Sequence, residues 1–106
     1  MQTFTTYELQ PRYDTRQSFY GKAKVKESTT TGEHGQTVLY DLISYNTLVG
    51  KVLVSDIDGE RKKSFVYFGK YSQTTTRHQK EFFKQFGLSD RELKELFKNN
   101  TLEKEG

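Results

Sequence analysis

Residues 38–69, VLYDLISYNTLVGKVLVSDIDGERKKSFVYFG, hold three apolar runs separated by turn signals. The runs Val38–Tyr45, Thr47–Ser55 and Lys63–Gly69 are rich in β-branched and aromatic residues, which favour strands. Asp58-Gly59 is a strong signal for a two-residue hairpin turn. The stretch therefore predicts the centre of an antiparallel sheet.

Two more strands are predicted before this stretch. The first covers Thr3–Leu9 and ends before Pro11, which lacks the N–H that a strand ladder needs. The second covers Ser18–Glu27, where small and apolar residues alternate with polar ones. Ser28–Gly35 is predicted to be a mobile loop. Asn46 marks a turn, a bulge or a bend between two strands.

Two helices are predicted at the C-terminal end, over about residues 74–86 and 90–99. Gly87 stands where a left-handed residue ends the first helix. Ser89 and Glu92 have the spacing of a capping box that starts the second. The prediction is an α+β fold: an antiparallel sheet of about four to five strands within residues 3–69, followed by the two helices. Residues 1–106 form one domain, and residues 101–106 are predicted to be a frayed tail.

Composition excludes several classes of protein. The 106 residues include no cysteine, so there is no disulfide framework, thiolate metal site or cysteine nucleophile. No apolar run is long enough to cross a membrane, and residues 1–5 lack the pattern of a signal peptide. We therefore expect a soluble intracellular protein with no membrane contact.

Catalysis and metal binding have little support in the sequence. There is no phosphate-binding glycine loop, and the acids of residues 56–60 lie in a predicted hairpin turn, where acids are common. The two histidines, His34 and His78, have no further ligands at metal-binding spacing. We expect His34 to lie in a loop and His78 on a helix surface or partly buried. The prediction is a protein that is not an enzyme and has no cofactor or metal.

The net charge of +3 hides two basic segments. Residues 12–26 carry five basic residues and one acid, and residues 61–84 carry seven and one, whereas residues 27–60 carry six acids and one lysine. If the basic strands were neighbours, their cations would form one patch for phosphates or an acidic protein. Alternatively, these lysines only keep an exposed sheet soluble. The candidate binding residues are Lys22, Lys24, Lys26, Arg61, Lys62 and Lys63.

The densest group of polar side chains joins the last predicted strand to the first helix, in residues 69–80. Hydroxyls, helix N–H groups and cations at this point suit an anion, and a tyrosine suits stacking on a base. In the other interpretation, one hydroxyl caps the helix and the cations are solvated. The candidates are Lys70, Tyr71, Ser72, Thr74, Thr75, Arg77, His78 and Lys80.

Residues 44–49, SYNTLV, and 69–85, GKYSQTTTRHQKEFFKQ, resemble a small domain of unknown function found in phage, plasmid and integrative-element proteins of Gram-positive bacteria. The resemblance covers about residues 38–86. Some similar proteins inhibit type II CRISPR systems, the Cas9 class. The residues that match the pattern are Tyr45, Thr47, Tyr71, Ser72, Thr74, Thr75, Arg77 and His78. They are candidates for a binding site or for a purely structural signature.

Three functions remain open on these grounds. The resemblance implies a stoichiometric inhibitor that binds Cas9, its guide RNA or their assembly in the cytoplasm of a bacterial host. The basic segments favour a DNA- or RNA-binding accessory protein of a phage or plasmid. The third hypothesis is an interaction module that forms a homodimer through an edge strand.

Overall fold

A computed structural model describes residues 2–106 as a six-stranded sheet with two helices. The elements are β1 Gln2–Glu8, β2 Ala23–Gly32, β3 Gly35–Ser44, β4 Thr47–Ile57, β5 Glu60–Tyr67, α1 Gln73–Gln85, α2 Asp90–Asn99 and β6 Thr101–Glu105. The predicted α+β class and the two C-terminal helices are confirmed. The sheet has more strands than predicted.

Neighbouring strands in the sheet are also neighbours along the chain, except that the two helices separate β5 from β6. The order is β1-β2-β3-β4-β5-β6, and every pair is antiparallel. Asp58 and Gly59 form the predicted hairpin turn, with positive φ at both residues. Tyr45 and Asn46 form a second two-residue turn, with Ser44 opposite Thr47. The ambiguity at Asn46 is thus resolved as a turn.

The bounds predicted for the second strand and its following loop are wrong. β2 runs from Ala23 to Gly32, so most of the predicted mobile loop pairs with β3 in regular register. The reason is that Ser28 and the threonines after it fit an extended, half-exposed strand well. Residues 18–22 instead make a turn, in which the Lys22 N–H donates to the Phe19 carbonyl at 3.0 Å.

The prediction of a frayed C-terminal tail is also wrong, because residues 101–105 form β6 along the edge of β5. Asn100 adopts a left-handed conformation that reverses the chain after α2. Its carbonyl accepts a hydrogen bond from the Tyr67 N–H at 2.9 Å. Leu102 then packs against the core, and Lys104 pairs with Glu92 at 3.1 Å.

Both helices cover the same face of the sheet. Phe82 and Phe83 of α1 and Leu93 and Leu96 of α2 are buried in one core with apolar residues of the sheet. Gly50 in β4 allows this close approach, because a Cβ there would lie 3.0 Å from the Phe83 ring.

The ends of the helices follow local sequence signals. Ser72 caps α1, and Ser89 and Glu92 form the predicted capping box of α2. Gly87 follows α1 with a φ of +95°, as the prediction required. Within residues 2–106, no helix has both the length and the apolar character needed to cross a bilayer.

Candidate functional site

The segment between β1 and β2 lies over α1 and is held there by a buried carboxylate. Glu81 is 2% exposed, and its Oε1 accepts hydrogen bonds from the backbone N–H groups of Tyr13 at 2.8 Å and Asp14 at 2.9 Å. Gln85 donates from Nε2 to the Gln10 carbonyl at 2.8 Å. These bonds bring the basic N-terminal segment beside the basic start of α1.

Asp14 is the residue around which the two basic segments meet. Its Oδ1 accepts from the Arg77 guanidinium at 3.1 Å and from the Arg16 N–H at 3.0 Å. A depression of about 450 Å³ opens beside this pair, with Lys70 and Lys80 on its walls. Its lining residues are Asp14, Thr15, Lys70, Gln73, Thr76, Arg77 and Lys80.

Two further depressions continue from the first. The second, or middle, depression has a volume of about 360 Å³ and shares Arg77 with the first. The third has a volume of about 300 Å³ and shares Lys22 and Tyr45 with the second. The second is lined by Arg16, Ser18, Phe19, Tyr20, Lys22, Tyr45, Thr74, Arg77 and His78. The third is lined by Gly21, Lys22, Lys24, Ile43, Tyr45 and Asn46. We call the three together the basic groove.

The electrostatics of the basic groove are one-sided. Among the described lining residues there are six cations and one carboxylate, and that carboxylate, Asp14, is engaged by Arg77. The five other cations form no ion pair within residues 2–106: Arg16, Lys22, Lys24, Lys70 and Lys80. Elsewhere, Lys51, Lys84 and Lys104 each lie beside a carboxylate. The cations that line the groove therefore outnumber its carboxylates, and their positive potential can attract an anion.

A buried polar cluster lies beside the middle depression and contributes His78 to its lining. Ser44 Oγ lies 2.8 Å from His78 Nδ1 and 3.0 Å from Thr75 Oγ1, and all three residues are buried. The Phe19 ring packs edge-on against His78, with 4.6 Å between centroids. Burial lowers the pKa of His78, with a smaller opposing effect from Asp14 and a supporting one from Arg16. The cluster therefore holds a neutral imidazole against the end of the sheet.

Three predicted binding residues make contacts within the protein. His78, expected at the surface or partly buried, is 1% exposed because Ser44 and Phe19 enclose its ring. Ser72 accepts from the Thr75 N–H at 3.1 Å and so caps α1. Thr75, in turn, directs its hydroxyl to Ser44. These contacts agree with the structural interpretation of the hydroxyl-rich helix start.

The other residues of that motif divide between the groove and the surface. Lys70, Thr74, Arg77 and Lys80 line the groove. Tyr71 is 52% exposed and is not among the lining residues. Thr47 is an exposed residue at the start of β4.

The structure separates the basic residues of β2 from those of β5, which a single patch would have joined. β3 and β4 lie between β2 and β5. Arg61 and Lys62 are exposed at the far end of β5, and Lys63 donates to the Phe86 carbonyl at 3.3 Å. Lys26 lies over the Phe4 ring, with its Nζ 5.9 Å from the centroid, and outside the groove. Only Lys22 and Lys24 of the β2 group line the groove.

Sequence reasoning missed the residues that assemble the groove. Arg16 and Asp14 belong to a segment whose position depends on Glu81, 67 residues from Asp14 along the chain. One signal was available: Glu81 lies three residues after His78, on the face of α1 that also carries Phe82. A carboxylate on a buried helix face needs partners, and main-chain N–H groups supply them here.

The described residues contain no group of three or more His, Cys, Asp and Glu side chains that could hold a metal ion. Residues 7–99 match a family model whose description is a family of unknown function (DUF8033). No curated protein and no solved structure matches the chain. The matched range includes every residue of the basic groove and ends before β6.

Proposed function

The chain belongs to a family of unknown function (DUF8033), and we propose that it is a nucleic-acid-binding protein that holds a phosphate backbone along the basic groove. The observation that carries the proposal is the convergence of six cations on three connected depressions with one internally paired carboxylate. Its role is binding, without catalysis of a reaction.

The chemistry of the groove suits a chain of phosphates better than a single anion. The cations are spread along the groove, and Lys22 and Arg77 lie at the junctions between depressions. Each cation that neutralises a phosphate releases condensed counterions, which favours binding at low salt. If all six engage a single strand, the logarithm of affinity falls with the logarithm of salt concentration with a slope of about −4.

The test is a titration of a fluorescent single-stranded oligonucleotide across a range of salt concentrations. Lys70→Gln with Lys80→Gln removes two charges from the groove, and the slope is expected to become shallower by about 1.4. Arg61→Gln with Lys62→Gln is the matched control, because it removes the same charge from exposed positions at the other end of β5. At 0.1 M salt and above, where the far end of the sheet is screened, the control is expected to bind like the wild type. An equal decrease of affinity and of the salt slope in both variants would mean that net charge, and not the groove, governs binding.

Inhibition of a Cas9 system stays a prediction that rests on the resemblance to mobile-element proteins. On this hypothesis the basic groove takes guide RNA, in the free or the Cas9-bound state. A Cas9 cleavage assay with excess protein, in several orders of addition, tests it. Loss of inhibition in the Lys70→Gln, Lys80→Gln variant would assign inhibition to the groove. The absence of inhibition of any type II-A enzyme in every order would reject the hypothesis and leave the accessory role in a phage or plasmid.

A further inference from the structure

Two tyrosines of the basic groove occupy turn positions that do not suit tyrosine. Tyr20 has a φ of +53° and is followed by Gly21 at +73°, and Tyr45 has a φ of +49° and is followed by Asn46 at +69°. Two successive positive φ angles are typical of type I′ turns, whose first central position favours glycine, asparagine or aspartate. A bulky residue there is strained. The turns would therefore form more easily without these side chains.

Burial of the side chain does not offset the backbone strain at either tyrosine. Tyr20 is 78% exposed and makes no ring contact within residues 2–106. Tyr45 is 51% exposed, and its ring lies 5.9 Å from the His78 ring in a tilted arrangement. Exposed aromatic rings in strained turns call for a role outside the stability of the fold.

Both tyrosines border the same depression. Tyr20 and Tyr45 line the middle depression, together with the cations Arg16, Lys22 and Arg77. The buried His78 and Phe19 rings form its floor. Aromatic faces beside cations are the arrangement that stacks bases while it binds the adjoining phosphates.

We propose that Tyr20 and Tyr45 hold an unpaired nucleobase in the middle depression, so that the basic groove prefers single-stranded nucleic acid to duplex. The inference rests on the proposed function, because the cations must first bring the strand to the groove. A base stacked in its own duplex has no free face to offer the rings. A phosphate backbone without bases can satisfy the cations but leaves the rings empty.

The experiment compares three ligands of equal length: a thymidine oligonucleotide, an abasic strand and a duplex. The base-bearing single strand is expected to bind about tenfold more tightly than the abasic strand, which corresponds to one stacked base. Equal affinity for the base-bearing and abasic strands would overturn the base clamp and leave phosphate binding intact. Failure to bind any of the three would overturn the proposed function itself. Capture of polyglutamate without any oligonucleotide binding would assign the groove to an acidic protein surface and overturn both.

The substitutions Tyr20→Asn and Tyr45→Asn separate a binding role from a structural one. Asparagine suits the left-handed turn, so we expect Tyr20→Asn to leave thermal stability unchanged or raised while the preference for bases over abasic sites falls. Tyr45→Asn is expected to lose the same preference. Tyr71→Asn is the matched control, because Tyr71 is as exposed as Tyr45 but lies outside the lining of the groove. An unchanged preference in both groove variants, or its loss in the control, would contradict the proposal.

Discussion

His78 is one of two histidines in the chain, and it is the buried one. Burial lowers its pKa in the folded state, so at mildly acidic pH the unfolded chain binds the proton more readily than the folded chain. The contribution of His78 to stability is therefore complete above its ordinary value of 6.5 and is lost as pH falls from there toward the lowered value. We expect the free energy of unfolding to fall by up to about 1.4 kcal/mol for each pH unit in that window.

Denaturant unfolding at pH 7.5 and pH 5.5 measures this loss. The His78→Gln variant is expected to lose less stability than the wild type between these two pH values, because it has no imidazole to protonate. His34→Gln is the control, since His34 is exposed and lies beside Asp58 at 3.2 Å, far from the buried cluster. The His34→Gln variant should lose as much stability as the wild type between pH 7.5 and pH 5.5. If the pH dependence of stability disappeared in His34→Gln and persisted in His78→Gln, the assignment of that dependence to His78 would be wrong.

Glu81 is expected to hold the segment that carries Arg16. Its carboxylate accepts from the N–H groups of Tyr13 and Asp14, so Glu81→Ala leaves both without their partner. We expect a loss of about 1–3 kcal/mol in the free energy of unfolding. Trypsin should also cut faster after Arg12 and Arg16, because the segment opens locally.

The conservative change Glu81→Gln keeps an acceptor oxygen, so it should restore part of the protection against trypsin. Glu95→Ala provides the control, because Glu95 is an exposed residue of α2. Rates of tryptic cleavage after Arg12 and Arg16, measured by mass spectrometry, test whether Glu81 holds this segment in place. If Glu81→Ala and Glu95→Ala were cut at the same rate, the buried carboxylate would have no role in placing the loop.

At the scale of elements, β6 is the strand whose removal tests the fold most directly. A frayed tail could be deleted without cost, whereas β6 pairs with β5 and places Leu102 against the core. Deletion of residues 101–106 is expected to lower the free energy of unfolding by at least about 2 kcal/mol, as measured by urea denaturation. Leu102→Ala should account for about 1–2 kcal/mol of this loss. Glu103→Ala, on the exposed side of the same strand, should change it by less than about 0.5 kcal/mol.

The elements that the sequence predicted well are those with local signals. Asp58-Gly59 carries its own turn preference, and Ser89 and Glu92 cap a helix from within its first turn. β6 has no such signal, because Leu102 is the lone apolar residue of the tail and its site is built by residues distant in sequence. A short charged segment therefore looks like a loose end until the core that receives its single leucine is known.

The same distinction holds for the candidate site. Lys70, Arg77 and Lys80 are close in sequence, and their joint role as a cationic surface could be predicted from the helix start. The meeting of this surface with Arg16 and Lys22 could not, because it depends on a carboxylate that is buried only in the folded chain. The non-local part of the groove thus became visible only with the structure.

At the scale of the whole molecule, the basic groove and an acid-rich turn lie at opposite ends of the sheet, and Arg61 and Lys62 are the cations beside that turn. The turn at Tyr45 belongs to the basic groove, and β4 leads from it through 11 residues to the turn at Asp58. At about 3.3 Å per residue the two ends are roughly 35 Å apart. Asp56, Asp58 and Glu60 are exposed near the far turn, where Asp58 also lies beside His34. Because of this uneven charge distribution, the net charge of the chain is a poor measure of the electrostatic potential at the groove.

The combined variant Asp56→Asn, Asp58→Asn, Glu60→Gln tests this charge distribution, because it removes three negative charges without touching the groove. At 0.1 M salt the Debye length is about 10 Å, so the far end is screened from a strand in the groove. At this salt concentration we expect the variant's affinity for the oligonucleotide to differ from that of the wild type by less than twofold. At 0.01 M salt the Debye length is about 30 Å, and the variant should bind more tightly than the wild type. A large gain already at 0.1 M would mean that the ligand spans both ends of the sheet, and the binding surface would then extend beyond the groove.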